Sequence, residues 1–515
     1  MTKSAFRGLF LAAVAAALLF RLSGLALRPM HHDEANQAVK FGALLEKGEY
    51  TYDKTDHHGP TLYYAALAAA SARGQATLAE LDETTLRLVP VAFGVGLLFL
   101  FFSFGRSLHP GAGAFAALLG AFSPAMTYYS RFFIHESLFA FFALGLLVSV
   151  WRYTERLSSG WAFGAGIFAG LLFATKETSV MVFAAIAVAL PLASRLRKRT
   201  VVSPGVRLKT SGEHIFFAVL TMLTVAAVLY SSLGRNIAGP VDAVTAFKSY
   251  FVKGGTPGIH AHPWFFYLNL LAFSKSGGLV WSEGLVLILA LIGMAATAAR
   301  RTGREVEPRL GLYLLFYTGL TTLAFFAIPY KTPWNLLPFY SGWIFFAGIG
   351  GAFLIRIIPR RGVKALAIAA IAAGLAHLGV QNYRANIRYP ADPRNPYVYA
   401  QTSPDFLRLI KRVEDIAGVH PAKKSLTVKV VAGPDEQWPL PWYLRAYARV
   451  GYWPDSKAAG DVTDAALVIA SAENAALLEP VLGDRYQIEH YGLREGTILS
   501  LFIPYALWNR FLLSR

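Results

Sequence analysis

The stretch MTKSAFRGLFLAAVAAALLFRLSGLALRPMHHDEANQAVKFG, residues 1–42, decides the fold. Its apolar run, 6–27, is long enough to cross a bilayer as a helix. Lys3 precedes it and Arg7 lies at its start, so the outline is that of a secretory signal. Many more apolar runs follow, and the segment therefore reads as an uncleaved first span. Directly after it come His31, His32, Asp33 and Glu34. Ionisable groups at the end of a span are costly unless they serve a site or reach the headgroups.

The rest of the chain extends this pattern. Of 515 residues, 55% are hydrophobic and 16% charged. A soluble domain carries roughly 45–50% apolar and about 25% charged residues, so an ordinary soluble protein is excluded, as is disorder over most of the length. About eleven spans are expected by length and hydropathy, at 6–27, 87–106, 112–129, 133–152, 161–174, 178–194, 214–232, 279–299, 310–328, 337–357 and 363–380. Segments 61–72 and 264–275 are too short to cross and are expected at the interface or against the bundle. Glycine pairs such as Gly111/Gly113 and Gly348/Gly350 read as helix-packing positions rather than nucleotide loops. Cysteine is absent, which excludes disulfides, thiolate metal sites and cysteine nucleophiles.

The formal charge is 49 − 31 = +18. With the N-terminus inside, short basic loops hold Arg106; Arg152 and Arg156; Arg195, Arg197, Lys198, Arg199, Arg207 and Lys209; Arg300, Arg301, Arg304 and Arg309; and Arg356, Arg360, Arg361 and Lys364. The longer loops, 28–86 and 233–278, fall outside. This is the positive-inside bias, and it accounts for the basic balance without nucleic acid. The expected setting is the cytoplasmic membrane, crossed many times, with the tail outside.

That tail changes character. After a polar linker over 381–400, SLTVKVVAG, ALVIASA and TILSLFIP read as strands, and PWYLRAYARV and ENAALLEPVL as helices. The expected organisation is a membrane domain over 1–380, the linker, and a small α/β domain over 401–515. Trp438, Trp442, Tyr443 and Trp453 either stack against a sugar or partner or form that domain's core and membrane contact.

Five polar clusters stand out. Asp33 and Glu34 could supply a general base or metal ligands; they also suit a helix N-terminus. Asp56, His57 and His58 precede Gly59-Pro60, where a turn enters a helix. Arg131 and His135 have the i, i+4 spacing of one helix face, with Glu136 adjacent. Lys176-Glu177 lies between two spans, as does Tyr330-Lys331-Thr332-Pro333-Trp334-Asn335. Each could be an interfacial anchor or local ion pair. Jointly, Arg131, Lys176 and Lys331 could meet one anion at the outer surface. Acid, base and cations at a lipid interface suggest sugar transfer from a lipid phosphate. Cations stabilise the leaving phosphate, and a carboxylate, Asp33 first and Glu34 second, deprotonates the acceptor. A single base with direct displacement inverts the anomeric carbon.

The run RLSGLALRPMHHDEANQAVKFG resembles the first-loop motif of membrane glycosyltransferases of the GT-C fold, which include protein O-mannosyltransferases and lipid A aminoarabinose transferases. HHDE, DHHGP, SRFFIHES, TKET, YKTPWN and DEQWPLPWYLR are similar to a bacterial and archaeal subgroup of the dolichyl-phosphate-mannose-protein mannosyltransferase-like superfamily, described as flippase-activity-associated. The resemblance implies an all-α polytopic GT-C-like membrane protein with an extracytoplasmic α/β domain. It implies a polyprenyl-phosphate sugar donor, an outward-facing site and Asp33 as base beside Glu34. Arg131, His135 and Glu136 resemble the second charged motif of these enzymes; the residues themselves point to donor phosphate on Arg131, Lys176 and Lys331, and to substrate contacts at His57, His58, His135, Glu136, Glu177, Tyr330 and Trp334. The paired histidines are outside the general mannosyltransferase pattern; His32, Asp33, Glu34 and His58 could hold a divalent metal. A lipid-linked sugar flippase or a non-catalytic accessory protein is the competing class. A transporter should carry polar residues at the midplane, whereas these gather at span ends. Sugar, acceptor and lipid length are not written in the sequence.

Overall fold

The computed structural model describes residues 3–53, 58–105, 111–198, 210–255, 260–302 and 308–515. Of the expected features, Asp56, His57, Arg106, Arg199, Arg207, Lys209 and Arg304 lie outside the described residues. The chain divides into two compact units. The first comprises Met1–Leu25, Gly48–Arg73 and Thr84–Tyr389; the second comprises Ala26–Lys47, Gly74–Glu83 and Pro390–Arg515.

The first unit is helical. Each expected span overlaps a helix, but 112–129 is broken at Ser123 into Ala112–Phe122 and Pro124–Tyr129, and 279–299 is helical only over Gly284–Ala298. Among the described residues, eight helices are long and apolar enough to cross a membrane, and Ala112–Phe122, Ser159–Phe173 and Gly284–Ala298 are shorter apolar helices. The helix Gly212–Tyr230 leaves Phe216, Val219 and Leu223 exposed. Such a face is stable in lipid and not in water. Apolar burial cannot drive helices together inside lipid, so close backbone approach must. Gly350 shows it: a Cβ there would sit 1.9 Å from the Leu289 carbonyl oxygen, and one on Gly293 would sit 2.0 Å from that of Phe346. The helices Gly284–Ala298 and Leu337–Ile357 therefore touch backbone to backbone. The short segment 61–72 forms the helix Thr61–Ala72, with Leu62, Tyr63, Ala66 and Ala70 buried. Segment 264–275 forms the helix Phe266–Ala272, followed by a hairpin of β1 (Ser274–Ser276) and β2 (Leu279–Trp281) that turns through Gly277-Gly278.

The second unit is α/β. Its sheet contains β3 (Thr427–Val431), β4 (Arg449–Trp453), β5 (Leu467–Ser471), β6 (Tyr486–Arg494) and β7 (Thr497–Pro504), ordered β4-β3-β5-β7-β6. β3 pairs in parallel with β4 and β5; β7 runs antiparallel to β5 and β6. Alternation builds two cores. Leu467 and Ile469 face one that includes the helix Pro404–Val419, and Val468 and Ala470 face the other, with the helix Ala472–Leu482. The expected helix PWYLRAYARV is corrected: only Leu440–Tyr443 is helical, and its end enters β4. β6 was not anticipated.

The domain division also differs from the expected one. The first loop, 28–86, is expected within the membrane domain over 1–380. Two of its stretches, Ala26–Lys47 and Gly74–Glu83, instead cluster with the C-terminal residues, and that unit begins again at Pro390 rather than 401. Hydrogen bonding explains this. Arg445 donates to the carbonyls of Leu78 and Leu81 and lies over the Trp442 ring, whose N–H donates to Glu83. Trp442 is thus a core residue, not a stacking surface.

Candidate active site

In the second unit the helix His32–Lys47 starts at the HHDE motif. Residues 33 and 34 are adjacent, so on a helix their side chains point about 100° apart. Glu34 turns inward and is 0% exposed. It accepts from the His31 amide at 3.1 Å and faces the Arg28 guanidinium at 3.5 Å. This is the carboxylate half of a capping box. His31 supplies the other half: its Nδ1 accepts from the Asp33 amide at 3.0 Å. Its Nε2–H donates to the Tyr399 carbonyl at 3.0 Å. One ring nitrogen accepts and the other donates, which defines a neutral imidazole. Burial, the largest influence, keeps it neutral by lowering its pKa against the pull of Asp33.

Asp33 is the member left over. Its side chain is 40% exposed, and Oδ1 lies 3.9 Å from Nδ1 of the neutral His31 ring. His32 is half-buried, with its ring 5.9 Å from that of Trp438. Among the described residues no group of three or more His, Asp or Glu is arranged to hold a metal ion. Of the candidates His32, Asp33, Glu34 and His58, Glu34 is occupied by an amide and a guanidinium and His58 by Glu177, so these residues do not fit a metal.

In the first unit a separate polar network joins the remaining motifs. Gly59 and Thr61 donate backbone N–H groups to the carbonyls of Thr175 and Ala174. That approach requires glycine at 59, since a Cβ would lie 2.2 Å from the Ala174 oxygen. The docking places His58 Nδ1 2.7 Å from Glu177 Oε2, while the Tyr52 hydroxyl donates to Glu177 Oε1 at 2.8 Å. Burial alone would raise the Glu177 carboxyl. The His58 charge and hydrogen bond, with Tyr52, bring it below its ordinary value instead. His135 donates from Nε2 to the Gly59 carbonyl at 2.9 Å. Lys176 bonds Glu136 at 2.7 Å and the Asn335 amide oxygen at 2.9 Å. The TKET turn, the YKTPWN turn and the start of the helix Glu136–Arg156 are therefore tied together.

The three expected cations differ sharply. Arg131 and His135 do not share a helix face, because residues 130–135 form turns between helices. The Arg131 guanidinium instead donates to the carbonyls of Phe20, Ser23 and Gly24, closing the C-terminal end of the first span. Lys176 is neutralised by Glu136. Lys331 donates to the carbonyls of His262, at 3.1 Å, and Ile328, and meets no carboxylate among the described residues. Burial lowers its pKa. Its backbone is paired with the middle loop, its amide donating to the His260 carbonyl. Tyr330 is exposed with its ring against His260, and Trp334 is buried against Tyr129 and Phe132.

Several residues escaped the sequence reading. Tyr52 and Arg87, which donates to the Leu25 carbonyl, complete the network or the end of the first span. Glu283 accepts from Ser123, the Ala125 amide and Tyr340. As a carboxylate at the start of a span, it carried the same signal as the residues singled out.

Residues 65–230 match the family described as dolichyl-phosphate-mannose-protein mannosyltransferase. No curated protein sequence matches the chain significantly. Among solved structures, ArnT from Cupriavidus metallidurans bound to undecaprenyl phosphate is similar with a TM-score of 0.66 and 15% identity, over 96% of this chain and 98% of that one. The archaeal oligosaccharyltransferase AglB from Archaeoglobus fulgidus, in complex with an inhibitory peptide and a dolichol-phosphate, is similar with a TM-score of 0.57 and 12% identity, over 98% of this chain and 77% of that one. The chain is a multi-pass membrane protein with the GT-C fold of these glycosyltransferases.

Proposed function

We propose that the protein is an inverting glycosyltransferase that moves a sugar from a polyprenyl-phosphate donor to an acceptor at the outer face of the cytoplasmic membrane. The observation that carries this reading is the division of the HHDE carboxylates, with Glu34 buried and bonded and Asp33 exposed at a helix start. Asp33 takes the proton of the acceptor hydroxyl or amine. The acceptor atom attacks the anomeric carbon, and the bond from that carbon to the phosphate oxygen breaks. Polyprenyl phosphate leaves with the electron pair. Phosphate is a good leaving group, so one base suffices. Lys331 is assigned to the donor phosphate because its charge is offset by no carboxylate among the described residues; a buried cation of this kind stabilises developing negative charge. Lys176 shares its charge with Glu136 and contributes less, and Arg131 acts through the end of the first span. His58 faces the substrate, held by the buried Glu177 carboxylate; Tyr330, exposed, contacts lipid or sugar. The match of residues 65–230 and the ligands of the similar structures support a lipid-phosphate donor. The N-terminus is cytoplasmic and the α/β unit extracytoplasmic, as the basic loops indicate.

The test uses purified protein with a panel of radiolabelled polyprenyl-phosphate hexoses, mannose first, and an envelope extract as acceptor. Label passes to a new product with inverted anomeric configuration. Retained configuration would replace the single-base mechanism. Movement of donor across liposomes without acceptor, with no product, would favour the flippase reading.

A further inference from the structure

The C-terminal residues of the second unit hold the turn that carries the base. The turn Arg28–His31 makes four hydrogen bonds to residues about 370 to 410 positions away. Gln401 Nε2 donates to the Pro29 carbonyl at 2.9 Å, and Thr402 Oγ1 to the Met30 carbonyl at 2.7 Å. The Met30 amide donates to the Tyr443 hydroxyl at 2.9 Å, and His31 Nε2 to the Tyr399 carbonyl at 3.0 Å. Met30, His31, Gln401 and Thr402 are all buried. The holding segment is itself fixed to the sheet. The Ser403 amide donates to the Leu493 carbonyl in β6, and the Gly492 amide donates to Asp405 at 2.8 Å. Tyr443 packs against Phe406, which lies in the core. A continuous path of bonds thus runs from β6 through Thr402 to Met30, then through His31 to the Asp33 amide.

We propose that Thr402, with Gln401 and Tyr443, is a positioning residue for Asp33: the C-terminal fold sets the direction of the base, acting through the backbone of residues 29–31. This rests on the glycosyltransferase reading above. A reacting group displaced by about 1 Å costs on the order of 10²-fold in rate, so the clamp is read in turnover.

The experiment compares full-length wild type with Thr402→Val, Thr402→Ser and Asp33→Asn, using the donor panel above. Thr402→Val removes only the hydroxyl; it is expected to lower kcat about 10- to 100-fold with donor KM unchanged, and Thr402→Ser restores kcat. Hydrogen exchange of the amides of residues 30–35 accelerates in Thr402→Val. Gln401→Leu provides a second variant if Thr402→Val fails to fold, with the same expectation. Unchanged kcat in the folded variants, with or without faster exchange, overturns the inference while Asp33→Asn still abolishes transfer. Full activity of Asp33→Asn overturns the assignment of the base, and the clamp's catalytic role with it.

Discussion

Two pairs of neighbouring ionisable residues, Asp33-Glu34 and Lys176-Glu177, look alike in the sequence and differ in the structure. Each follows an apolar run. At 176–177 both members are buried and both are matched: Lys176 by Glu136 and Asn335, Glu177 by His58 and Tyr52. At 33–34 the helix divides the pair, and only Glu34 is consumed by the structure. A carboxylate that has not been neutralised or hydrogen-bonded is the one able to accept a proton. Exposure and partner count therefore separate chemistry from construction where residue type does not.

The comparison can be broken in several ways. The largest effect belongs to Asp33→Asn, which should reduce transfer about 10²- to 10⁴-fold, measured as labelled product at saturating donor. Next is Lys176→Met, which leaves Glu136 buried without its cation and should cost about 3–5 kcal/mol. Thermal unfolding in detergent reads that loss, and the double variant Lys176→Met/Glu136→Leu should recover most of it. Gly59→Ala forces a Cβ onto the Ala174 carbonyl and should cost about 1–3 kcal/mol, read by the same unfolding. The smallest effect is the pH response of Glu177. Its carboxyl lies below the ordinary 4.5 in the folded state, so its stabilisation is complete above that value and is lost as pH falls through the folded pKa. Unfolding followed below pH 4.5 should show this slope in wild type and lack it in Glu177→Gln.

The membrane helices were legible because apolar runs of sufficient length have few other stable outcomes in water or lipid. Asp33 was legible from its place after the first span. Three things were not. The Arg131–His135 spacing suggested one helix face, but Ser130–His135 is a turn, so the two side chains serve different carbonyls. β6 alternates apolar and polar residues as a strand should, yet Tyr486, Ile488, His490 and Gly492 form a weak apolar set. The clamp on residues 29–31 joins residues hundreds of positions apart through backbone carbonyls, which carry no side-chain signature in one sequence. Local periodicity reports elements; it does not report which distant segment completes a unit.

The most direct measurement pairs Asp33→Asn with Glu34→Gln, following single-turnover transfer and thermal unfolding on the same preparations. The account predicts crossed outcomes. Asp33→Asn should lose transfer and keep the wild-type unfolding temperature. Glu34→Gln should lose about 1–3 kcal/mol of stability and retain measurable transfer. Full transfer by Asp33→Asn together with loss of transfer by a stably folded Glu34→Gln would contradict it.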